Sequence, residues 1–126
     1  MTDTWMFLIR EPDWDSDAYT PEALAGADRT QFNDDMAAHQ RFQTAVADLG
    51  AKLVGGDALS NAKYGATVTP GKDGGDEVWS DAPLTDTGEV ITGFYAVECD
   101  EDTARKLAPM VPSRGHVEMR RVHKFE

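Results

Sequence analysis

Three polar side chains recur at four-residue steps in one stretch of the chain: Asp35, His39 and Gln43. At about 100° per residue they fall on the same side of a helix as Phe32, Met36, Phe42 and Val46. A packed core would place apolar groups there, because an unsatisfied buried polar group costs a few kcal/mol, roughly. Two readings follow. His39 is a core histidine satisfied by Asp35 or by a backbone carbonyl. Alternatively it borders a cavity, where an imidazole with an ordinary pKa near ~6.5 moves a proton or binds a polar ligand atom. The second reading predicts a pocket between this helix and the sheet interior, with His39 on its wall and Gln43 beside it.

A second set of candidates is cationic. In a terminal strand, alternation puts Glu118, Arg120 and Val122 on one face and Val117, Met119 and Arg121 on the other. Arg10 ends an apolar run and is expected to point to the same interior as Arg120. Glu118 and Arg120 form either a surface pair worth little or part of a site. In the latter case Arg10 and Arg120 grip an acidic or phenolic ligand with their planar forks.

Other patterns are discounted. Gly71-Lys72-Asp73-Gly74-Gly75 is glycine-rich but sits in a hairpin, so it is no phosphate loop. His116 and His123 lack a third ligand for zinc. Asp13, Asp15 and Asp17 lack the glycine and terminal Glu of a calcium loop. No Gly-x-Ser-x-Gly elbow is present. No metal or cofactor is expected. Trp5, Trp14 and Trp79 are expected as core or interface anchors.

Composition narrows the classes. The chain has 126 residues, 23 acids against 12 bases and a net charge of −11. It suits one globular domain, 1–126, and argues against binding nucleic acid or anionic membranes, which needs a basic footprint. Charge is unevenly spread. Residues 1–28 hold seven acids and one base, and residues 114–126 hold four bases and two acids. The tail is expected to lie near the acidic first loop or to bind an anion. Cys99 is the only cysteine, so no intrachain disulfide is expected. The start Met1–Thr4 lacks a basic, apolar leader, and no apolar run approaches about 18 residues. The expected compartment is the cytoplasm.

The elements that must position these residues read clearly. Trp5–Ile9 is a short apolar strand, followed by a Pro- and Asp-rich loop. Thr20-Pro21-Glu22 starts a helical turn. A long helix runs from about 29 to 49, with Gly50 at its C-cap. A strand over 51–56 ends or bulges at Gly55 and Gly56. Residues 66–79 form a hairpin around a turn at 70–75. A strand covers 92–98. A second helix opens at Asp100–Thr103 and is closed by Pro109 and Pro112. The last strand covers 117–122. The order suits an α+β sandwich with helices on one face of an antiparallel sheet.

One further stretch is informative: Asp81-Ala82-Pro83-Leu84, then Glu89, then Gly93-Phe94-Tyr95. In these residues the chain resembles the YCII-related family, in the branch named for an Asp-Gly-Pro-Phe motif. Asp81, Pro83, Glu89 and the Gly-Phe-Tyr match, whereas Ala82, Leu84 and Gly88 depart from the pattern. Met6–Ile9, His39–Phe42, Leu53–Leu59 and Val117–Arg120 also resemble family stretches, so the likeness covers nearly the whole chain. It implies a ferredoxin-like fold, here with the hairpin added, paired into a dimeric α+β barrel. It also implies a His–Asp pair in which His39 is the histidine. The expected Asp after the second helix is replaced by Val111-Pro112-Ser113, so Asp81 or Asp35 must supply the carboxylate, with Asp81 approaching the pocket mouth. The function implied is a metal-free lyase or isomerase acting on a small polar or phenolic compound through His39. The other reading is a non-catalytic ligand-binding or regulatory module, associated with sigma-factor systems.

Overall fold

The computed structural model describes residues 1–12, 14–82 and 88–126. Asp13 of the acidic run, and Pro83 and Leu84 of the Asp81–Leu84 stretch, lie outside the described residues. The protein is an α+β fold built on a four-stranded antiparallel sheet in the order β2-β5-β1-β6. Its strands are β1 (Asp3–Glu11), β2 (Lys52–Ala58), β5 (Val90–Cys99) and β6 (His116–Arg121). A separate hairpin pairs β3 (Ala66–Thr69) with β4 (Val78–Asp81). The helices are α1 (Pro21–Leu24), α2 (Thr30–Asp48) and α3 (Glu101–Leu107). With the hairpin set aside, this is the split β-α-β of ferredoxin-like sandwiches. Among the described residues no helix is long and apolar enough to cross a membrane.

Each element has a local cause. Trp5, Phe7 and Ile9 alternate with less buried neighbours, so β1 turns one face to the core. Thr20 caps α1 by accepting from the Ala23 amide, with Pro21 in the first turn. Asp28 accepts from the Thr30 amide at 2.9 Å and starts α2. Gly50 takes φ 75° just past the end of α2, as a C-cap glycine should. Asp100 caps α3 through the Thr103 amide, with acids in the first turn and Arg105 and Lys106 in the last.

The core lies between the sheet and the helices. Phe42 and Val46 of α2, Ala104 and Leu107 of α3 and Phe7, Val97 and Cys99 of the sheet are all buried. Among the described residues, the opposite sheet face carries no helix. Register places Met6 and Leu8 of β1, Phe94 and Ala96 of β5 and Glu118 and Arg120 of β6 on it.

Four local expectations change. The apolar stripe of α2 does not bury along its whole length: Phe42 and Val46 are sealed, but Met36 is 49% exposed. The first half of α2 stands off the sheet and borders open space. Strand β2 continues through both glycines to Ala58, absorbing one residue in a bulge between Leu53 and Gly55. Asp81, expected in a loop, is the last residue of β4, opposite Ala66. Trp79 is 64% exposed on that hairpin, so it is no core anchor, whereas Trp5 is buried.

Candidate functional site

Where the first half of α2 parts from the sheet, a cavity of about 850 Å³ opens, a size typical of small-molecule pockets. His39, Gln43, Asp35, Phe32 and Met36 line it from α2. The ends of β1 and β5 supply Ile9, Glu11, Thr92 and Tyr95. The segment after β1 adds Trp14 and Tyr19, and the turn before β6 adds Arg114.

Its centre is a pair of rings. His39 Nδ1 lies 2.7 Å from the Tyr95 hydroxyl, and the rings are tilted at a centroid distance of 5.8 Å. Two elements set this geometry. Tyr95 is clamped on one side by Phe42, at 4.6 Å between centroids. On the other side, Gly56 sits opposite it in the register, and a Cβ there would come within 2.8 Å of Tyr95 Cδ1. Gly56 thus leaves the space in which the Tyr95 ring lies. The two hydrogens can be arranged two ways. The phenol donates to Nδ1 and Nε2 carries the ring hydrogen, or Nδ1 donates to the phenol oxygen and Nε2 accepts. Exchange between them turns Nε2 from a hydrogen-bond donor into an acceptor.

Burial lowers the His39 pKa from its ordinary 6.5, against the opposing fields of Asp35 and Glu11. Burial also raises Tyr95 above the usual phenol range, with a hydrogen bond from Gln43 pulling the other way. Both groups are therefore neutral near pH 7. The lowered His39 pKa has a consequence for stability. The unfolded chain binds a proton at His39 more readily than the folded one, so stability falls as pH drops through the unfolded value and towards the folded one. We expect His39→Gln to flatten the slope of unfolding free energy between about pH 7 and pH 5. Urea melts across that window measure it, and equal slopes for the two proteins would refute it.

Around the pair, the polar groups are held in place. Glu11 accepts from the Thr92 hydroxyl at 2.6 Å and from the Arg114 amide at 3.2 Å. Asp35 accepts from Tyr19 at 3.0 Å, from Gln31 at 2.9 Å and from the Arg114 guanidinium at 3.4 Å. Trp14 donates to the Leu59 carbonyl at 2.6 Å. The rim of the cavity is tied across the chain: Ser16 and Asn61 exchange hydrogen bonds from amide to side chain in both directions. Asp17 meets Lys63 at 2.6 Å and the Tyr64 hydroxyl at 2.9 Å.

The expected site residues divide into two groups. His39, Gln43 and Asp35 come together on the cavity wall. Asp35 is not the hydrogen-bond partner of His39, since its oxygens serve Tyr19, Gln31 and Arg114. Asp81 does not reach the mouth, because it pairs with Ala66 in the hairpin and is absent from the lining. Arg10 and Arg120 do not line the cavity either. They lie on the helix-free sheet face, where both bind Glu118, at 3.0 and 2.9 Å. Arg114 is the base that does approach the acidic segment, through Glu11 and Asp35. Tyr95, Glu11, Tyr19 and Arg114 were not singled out by spacing. A signal existed for Glu11: alternation from Trp5, Phe7 and Ile9 points it inward and Arg10 outward.

Among the described residues, no group of three His, Cys, Asp or Glu is placed to hold a metal ion. No family model matches the chain, and no curated protein matches it.

Proposed function

We propose that this protein binds a small polar or phenolic compound in the cavity against α2 and uses His39 as an acid or base in lyase- or isomerase-type chemistry that needs no metal. The observation that carries this reading is the His39–Tyr95 pair, 2.7 Å apart on the cavity wall. The hydroxyl fixes the ring and either donates to Nδ1 or accepts from it, which leaves Nε2 as a donor or an acceptor. Tyr95 thereby stands where the sequence placed a carboxylate, and a neutral partner leaves His39 a weaker base than a His–Asp pair would have.

A screen of metabolites by thermal shift tests it. A ligand at 100 times its dissociation constant adds about 2.7 kcal/mol of stability. His39→Gln and Tyr95→Phe are expected to keep the fold and to lose most of the shift or the turnover. A hit that stabilises both variants as much as the parent chain would end the proposal. The neutral phenol partner, which leaves His39 a weaker base than a carboxylate would, favours a second reading, binding without turnover. Product analysis with the screened hit separates the two, since only the first consumes it.

We also propose membership in the YCII-related family and pairing into a homodimer through the helix-free sheet face. The strand order supports the first, since it is that of the ferredoxin-like fold the resemblance implies. Met6, Leu8, Phe94 and Ala96 on an uncovered sheet support the second, because an apolar sheet face is stabilised by burial. Light scattering should give twice the 13.8 kDa chain mass at micromolar concentration, and a clean monomer would refute pairing.

A further inference from the structure

Resting on the proposal that the cavity is a ligand site, we infer that its ligand carries a cationic amine on an apolar, aromatic-sized body. Two observations meet here. The first is a row of rings along the wall: Trp14 and Tyr19 lie 5.5 Å apart between centroids, and Tyr19 and Phe32 lie 5.7 Å apart. Such faces attract cations as well as flat apolar groups. Phe32 already attracts one, with the Arg29 guanidinium 5.3 Å from its centroid.

The second is the charge of the wall. Glu11 and Asp35 both line the cavity, and most of their hydrogen-bond partners are neutral: a Thr and a Tyr hydroxyl, a backbone amide and a Gln amide. Neutral donors orient a carboxylate without cancelling its charge. Arg114 is the only Lys or Arg among the described lining residues, and its side chain is 55% exposed, 3.4 Å from Asp35. With Asp57, which also lines the cavity, three carboxylates therefore stand against one positive charge that is turned towards solvent. The fields of Glu11 and Asp35 are felt at His39, where they oppose the effect of burial. The arginines that would have favoured an anion are spent on Glu118 across the sheet. An incoming carboxylate or phosphate would be repelled by Glu11 and Asp35. An ammonium would be held between them and the ring faces, with its apolar body against Met36 and Phe32.

Calorimetric titration with 2-phenylethylamine, 2-phenylethanol and 3-phenylpropionate near neutral pH tests the charge, with the His39 ring NMR signals reporting the place of binding. The amine is expected to bind at least about tenfold more tightly than the alcohol or the acid, and to weaken with added salt. Glu11→Gln, which keeps an acceptor for Thr92, should remove most of that preference and leave the alcohol unchanged. If Glu11→Gln does not fold, Asp35→Asn serves in its place. If the acid or the alcohol binds as tightly as the amine and moves the His39 signals, the inference is overturned while the pocket reading stands. If none of the three moves those signals, the pocket reading falls and the inference with it.

Discussion

Phe42→Ala is expected to lower the unfolding free energy by about 3–5 kcal/mol, the range for a fully buried aromatic. Phe42 is 1% exposed. Its ring meets Phe7 edge-on at 6.3 Å and Tyr95 at 4.6 Å. Truncation removes the apolar area and leaves a void that Val46 and Leu107 cannot fill, since both are anchored in their own helices. The substitution also frees one side of Tyr95, so the His39–Tyr95 pair should loosen in whatever fraction stays folded. Urea unfolding gives the first effect, and the His39 titration by NMR gives the second. A loss below about 1 kcal/mol would show that the sheet and α2 are not joined here.

Gly115→Ala is expected to cost about 1–3 kcal/mol or more, by overpacking rather than by a void. A Cβ on Gly115 would come within 2.2 Å of the Arg10 carbonyl oxygen and 3.1 Å of Glu11 Cα. These are backbone atoms of a central strand, so no side chain can swing aside. The turn before β6 would have to lift off β1, taking the Arg114 amide away from Glu11. The control is Gly55→Ala, whose new methyl meets only Ala96 Cβ at 3.7 Å. Thermal melts should separate the two variants clearly, and equal stability would refute the clash.

Much of the fold was legible because its signals are local. The Trp5–Ile9 run, the Gly50 cap, the turn at 70–75 and the capped start at Asp100 each act within a few residues. The cavity was legible for a different reason. Polar His39 and Gln43 interrupt an apolar face, and the helix tolerates them by standing away from the sheet there. What the sequence did not reveal depends on register. Tyr95 meets His39 across 56 positions, and only the pairing of β5 with β2 puts Gly56 beside its ring. Arg10 and Arg120 were assigned to the wrong side of the sheet. Alternation along one strand shows which residues share a face, but not which face the helices cover.

The ties across the rim give the cavity a mouth with its own stability. The Ser16 and Asn61 amides are each held by the other residue's side chain, outside any strand ladder. Asp17, beside them, is bound to Lys63 and Tyr64 at the exposed surface, where ion pairs are weak and screened by salt. None of these residues belongs to the buried core, so the mouth is expected to open while the sheet stays intact. Amide hydrogen exchange at Ser16 and Asn61 is therefore expected to report the opening of this mouth, running faster than global unfolding and faster still in salt.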